Sequence, residues 1–230
     1  MHKITKYIIT EIDKKSNSKK SDWLENYVKH NIKSKGVGIP DIRNIVKEAA
    51  SKFGISELKD EKQIVIFDEL MQYKFTEGQL ASILFLQLYW KNKNTKLQLD
   101  LISKWFDNQW IFDWNICDWL CVRILSPMLD NFPKQVIPEL KKWNKDEYFW
   151  KARASLVPFS ECKTIAEHKD IINLFSQRLI KREERFSKTA VGWVLRQYSK
   201  TDEQFVINFI RDYKEWTTTE VERNATKYLI

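Results

Sequence analysis

Trp114, Asp118, Arg153 and Trp193 are the residues whose types and spacing could do chemistry together. Trp114 and Asp118 are four positions apart, so on a helix a ring and a carboxylate stand one turn from each other and can address one ligand. Arg153 follows Trp114 by 39 residues, and Trp193 follows Arg153 by 40. In a chain built from units of about 40 residues, these three side chains occupy equivalent places on successive units and line one groove. The chemistry of such a set is specific. Aromatic faces attract a cationic base, a guanidinium grips phosphate through paired hydrogen bonds, and a carboxylate steadies positive charge on a sugar or orients water. Each residue also has a plainer reading: Trp114 half-buried beside a solvated Asp118, Arg153 in a surface ion pair, and Trp193 in a second packing layer.

The elements that must position these residues are helices. Only five Gly and five Pro occur in 230 residues, too few for the many tight turns of a sandwich or barrel. An N-terminal helix is expected over Lys3–Asp13, then a mobile basic loop over Lys14–Lys20, and a helix over Ser21–Ile32. Four threonines followed three residues later by Gln or Glu (Thr76, Thr164, Thr201 and Thr219) have the capping-box pattern. On the helix expected over 112–129, Cys117, Leu120, Cys121, Ile124 and Met128 form the apolar stripe, with Trp114 at its edge and Asp118 beyond it. On the helix over 146–157, Phe149, Ala152 and Leu156 form the stripe and Arg153 its flank. On the helix over 187–199, Trp193 points roughly 160° away from Leu195. The helical pairs 60–90, 96–129, 133–158, 164–199 and 201–229 suggest an all-α fold, an α-solenoid of HEAT-like repeats with a concave basic face. A compact irregular helical bundle fits the same pattern. The chain is expected to form a single domain over residues 1–230, of which 1–20 supply the first helix and loop.

Charge and cysteine usage narrow the classes. With 39 Lys and Arg against 31 Asp and Glu, the chain carries a formal charge of +8, which suits a polyanionic partner. Cys117, Cys121 and Cys162 are odd in number, and the three histidines (His2, His30, His168) do not stand at metal-ligand spacing, so neither a disulfide framework nor a zinc site is expected. No segment is apolar and long enough to span a bilayer, and no secretory leader is seen, so a cytoplasmic protein is expected.

Four stretches, Tyr27-Val28-Lys29 with Gly36 through Arg43, Asp113–Asp118, Trp150–Ala154 and Phe186–Tyr198, stand in order and in register and together resemble the AlkD-type DNA alkylation repair glycosylases, a family built from HEAT-like repeats. Phe186–Tyr198 is similar to the family's F-x-x-K-A-x-G-W-x-L-R-x-Y segment, with Thr189 where Lys is usual. Tyr27-Val28-Lys29 with Gly36 through Arg43 resembles the Y-x-K…G-x-x-x-P-x-x-R signature. Asp113–Asp118 resembles the W-x-x-x-D element, and Trp150–Ala154 resembles W-x-x-R-A. Together they span about residues 20–229. Departures fall at Asn115, Cys117, Ala152 and Thr189 and bear on substrate range.

The resemblance implies Asp118 as the catalytic aspartate, stabilising positive charge and placing the attacking water, Trp114 and Trp193 facing the lesion, and Arg153 in a supporting role, holding a nearby phosphate. It implies a monofunctional glycosylase that releases cationic N3- or N7-alkylated purines from duplex DNA, acting as a monomer without lysine nucleophile, metal or cofactor. Two other classes stay open from the sequence: a non-catalytic binder of bent or damaged DNA, and a protein-binding α-solenoid scaffold.

Overall fold

The structure, a computed structural model, describes residues 1–29, 31–91 and 93–229; His30, named above among the histidines, lies outside them. Among the described residues the regular elements are helical, and one isolated bridge pairs Lys33 with Phe75. No helix there is long and apolar enough to cross a membrane. Two compact units are seen: Met1–Asn94 with Asp107–Ile116, and Thr95–Phe106 with Cys117–Ile230.

The first unit contains α1 (Lys3–Lys14), α2 (Ser18–Tyr27), α3 (Ile39–Phe53), α4 (Asp60–Met71) and α5 (Thr76–Tyr89). In α1, Ile4, Ile8 and Ile12 recur every four residues and are buried. α5 is apolar nearly all round and is the most enclosed helix of the unit. The expected Lys14–Lys20 loop is shorter than the charge run suggests: the Asn17 side chain accepts from Lys20 N at 3.0 Å and caps α2, which starts at Ser18. α2 also ends earlier than expected, because the following chain is pulled onto acids. Ser34 N donates to Glu25, while Lys35 N, Val37 N and the Ser34 hydroxyl all donate to Oε1 of the buried Glu77. Gly36 sits there at φ +71°, and a Cβ would lie 2.1 Å from Asn17 O, so glycine is required.

The second unit holds α6 (Thr95–Asp107), α7 (Trp114–Leu120), α8 (Ser126–Asn131), α9 (Pro133–Trp143), α10 (Phe149–Leu156), α11 (Lys169–Ile180), α12 (Arg185–Tyr198), α13 (Glu203–Asp212) and α14 (Thr219–Ala225), except that Asp107 and the first residues of α7 group with the first unit. The single helix expected over 112–129 is instead interrupted by a π-helical turn at Cys121–Leu125. Pro127 explains it: its ring has no N–H and crowds the carbonyl one turn back, and the wider turn relieves both. The Ser126 hydroxyl then bonds the carbonyls of Cys121 and Pro158. The hairpins α9–α10 and α11–α12 match the expected pairs; α13 and α14 follow one another as expected but each packs on α12, which also packs against α10 and α11.

The caps shift by one residue where a better one is adjacent. Asp202, not Thr201, accepts from Phe205 N at 2.9 Å, and Thr218, not Thr219, accepts from Val221 N at 3.3 Å. A carboxylate at the helix start satisfies the same donor and also meets the positive end of the helix dipole. Thr76 is the first helical residue of α5, and Gln79 reaches Trp110 O instead of its own cap. The Thr164 hydroxyl turns to Asp130 and His168.

Candidate active site

Asp118 lies on α7 and Arg153 on α10, and the two meet as a fork. Arg153 Nε donates to Oδ1 at 2.8 Å and Nη2 to Oδ2 at 2.9 Å. The remaining terminal nitrogen, Nη1, donates to Phe186 O and, at 3.3 Å, to the Thr189 hydroxyl. One guanidinium therefore joins α7, α10 and the start of α12. Arg153 is 4% exposed, whereas the Asp118 side chain keeps 16% of its surface open. Burial by itself would lower the arginine's affinity for its proton, but the Asp118 charge and hydrogen bonds outweigh it, and Arg153 sits above the ordinary arginine value.

This geometry corrects two expectations for Arg153. The ion pair is buried, not on the surface, because the small Ala152 and Ala154 on either side let α10 sink between its neighbours. A contact to a phosphate is also unsuited to it: four of the five guanidinium N–H donors are already directed to Asp118, Phe186 and Thr189. Thr189, noted only as a departure, is a partner of the site. Its hydroxyl accepts from Nη1, whereas a long cation at this position would set a second positive charge beside Arg153.

Trp193 lies half-buried on α12, while Val191, Val194 and Leu195 beside it are buried. The Trp on the wrong face of its helix is thus partly open, as the wheel requires. Trp114 is half-buried in the first unit, where its ring meets the edge of Tyr27 at 5.3 Å between centroids and 70° between planes. Tyr27 in turn stacks on Trp23 at 5.3 Å and 5°. Trp23 and Tyr27 are 65% and 58% exposed. Sequence reasoning gave Tyr27 no role and passed over Trp23. The available signal was two rings at i and i+4 on α2, a helix that buries none of its residues.

Several other basic residues of the second unit are occupied within the protein. Arg182 binds Glu184 and the carbonyls of Asp146 and Glu147. Arg185 pairs with Glu220, Lys142 with Glu139, and Lys188 donates to Trp216 O. Lys181 lies over the rings of Tyr213 and Trp216. The three cysteines are free and buried, and burial pushes the Cys117 thiol well above its usual range and Cys162 to about 11.

An all-α chain with a buried Arg–Asp fork beside a half-open tryptophan has relatives. Residues 8–229 match the family described as DNA alkylation repair enzyme, and the chain belongs to that family. Among solved structures, one described as a predicted DNA alkylation repair enzyme from Enterococcus faecalis superposes with a TM-score of 0.78 at 21% identity, covering 93% of this chain and 96% of that one. The two share the all-α helical-repeat fold. Among curated proteins, none matches.

Proposed function

We propose that this chain is a monofunctional DNA glycosylase that hydrolyses the N-glycosidic bond of cationic N3- or N7-alkylated purines in duplex DNA, acting as a cytoplasmic monomer. The observation that carries the reading is the fork between Arg153 and Asp118. It fixes a charged carboxylate in a partly open position, one helix away from a half-exposed tryptophan. Alkylation leaves the purine positively charged, so the bond to the sugar is already weak. As it breaks, the bonding electron pair goes to the purine, which leaves neutral, and positive charge moves to the sugar. Asp118 stabilises that charge, and its oxygens retain lone pairs to orient the water that bonds to the sugar carbon and releases a proton. Trp193 and Trp114 offer ring faces to the cationic nucleotide. Arg153 is a positioning residue: held in place from three helices, it keeps the carboxylate from rotating or drifting toward the cation it must meet.

Release of N7-methylguanine or N3-methyladenine from methylated duplex tests this directly. Asp118→Asn should slow single-turnover release by about 10²–10³-fold, the scale of losing one preorganised electrostatic contact. Arg153→Lys keeps the charge but cannot bracket both oxygens, so release should slow while affinity for undamaged duplex holds. Unchanged release in Asp118→Asn would remove Asp118 from the mechanism.

A further inference from the structure

A second, unassigned constellation lies at the end of α12. Gly192, Arg196 and Lys200 follow one another at four-residue intervals, along the line that faces α14. Gly192 permits an unusually close approach: a Cβ there would stand 3.1 Å from Val221 O, 3.3 Å from Val221 Cα and 3.4 Å from Asn224 Cβ. With the two backbones nearly touching, Arg196 joins Glu220, Arg223, Asn224 and Lys227 around a cavity of about 390 Å³.

The charges of this cavity are not balanced. Among the described residues, the side chains of Arg196, Arg223 and Lys227 have no carboxylate partner and donate no hydrogen bond; Arg196 Nε is buried and unmatched. Glu220, the acid in the lining, is engaged by Arg185. Beside the cavity lies the exposed Tyr228 ring, with Arg196 at 5.9 Å, Lys200 at 4.6 Å and Lys227 at 6.0 Å from its centroid; a ring face attracts cations but carries no net charge to neutralise them. Cations held together without counter-charge repel one another, and an anion converts that cost into affinity. Two guanidinium forks and an ammonium suit the oxygens of a phosphate.

The geometry points to a binding site for a backbone phosphodiester of DNA, formed by Arg196, Arg223 and Lys227 with Asn224. This deepens the functional reading above and rests on its DNA partner. Trp193 precedes Arg196 by three residues, about 4.5 Å along the helix axis, so a strand whose nucleotide faces Trp193 brings a neighbouring phosphate to the cavity. Free inorganic phosphate has the same chemistry and is separated by experiment.

The test is the salt dependence of binding to an undamaged fluorescent duplex, followed by anisotropy between about 50 and 200 mM KCl. Arg223→Ala and Lys227→Ala, both at exposed positions, should each weaken binding several-fold and flatten the slope of log K against log salt by about 0.9. Arg223→Lys should keep the slope, and circular dichroism should report an intact fold in all variants. Wild-type affinity and slope in the double alanine variant would overturn the proposal. So would saturable thermal stabilisation by inorganic phosphate, over KCl of equal ionic strength, lost in that variant while its DNA binding persists. Base release measured in parallel separates the two readings. A wild type that binds with the expected slopes but frees no base supports this site and removes the glycosylase. Base release at full affinity by the double variant keeps the glycosylase and removes this site.

Discussion

Arg153 and Arg196 stand on α10 and α12 of the same unit, and their surroundings are opposite. Arg153 is buried and directs its donors to a carboxylate, a carbonyl and a hydroxyl on two other helices. Arg196 shares a cavity with two further cations and no free acid, its Nε unmatched. A buried guanidinium is tolerated only when its hydrogen-bonding capacity is met inside the protein, so its partners are structural. Arg196 is only half-buried and Arg223 and Lys227 are exposed, so water solvates most of this charge at little cost until a polyanion arrives. The same residue type thus organises one site and recruits a ligand to the other.

The strongest way to break this contrast is to truncate the buried arginine. Arg153→Ala leaves the Asp118 carboxylate without its partner and should cost about 3–5 kcal/mol in urea unfolding, toward the lower end because Asp118 is partly open. Stability within error of the wild type would mean that the fork does not tie α7, α10 and α12 together. A smaller effect is expected where α12 meets α14. Gly192→Val has to displace the Val221 backbone, and about 1–3 kcal/mol of overpacking strain is expected, with a parallel fall in DNA affinity as Arg223 and Lys227 move from Arg196. Retained affinity in a destabilised variant would uncouple the cavity from the close approach. The smallest effect belongs to the surface cations. Arg223→Ala with Lys227→Ala should leave stability within about 0.5 kcal/mol. Added salt should raise the Tm of the wild type more than that of the double variant, because it screens repulsion that the variant lacks. A large loss of stability would show that these cations hold the fold.

Much of the architecture was legible in the chain. Helix pairs at 60–90, 133–158, 164–199 and 201–229 follow from apolar spacing, scarce Gly and Pro, and hydroxyl or acidic starts, all of which act within four residues along the sequence. The caps slipped by a single position at Asp202 and Thr218, since adjacent side chains compete for the same donor and geometry chooses the winner. Asp118 and Trp193 could be singled out because a helical wheel sets each off from the apolar stripe of its helix.

The role of Arg153 could not be read this way. Its partners lie 33–36 residues away, on helices whose meeting is fixed only by packing. The basic residues tell the same story from the other side. Arg182 and Arg185 are neutralised by Glu184 and Glu220, whereas Arg196 and Arg223, 27 positions apart, share one cavity because Gly192 has no side chain. Local preferences, set by neighbours along the chain, determined the helices and which faces they expose. Through-space electrostatics decided which charges are satisfied and which remain open to a ligand, because that depends on distances that only the packed helices establish.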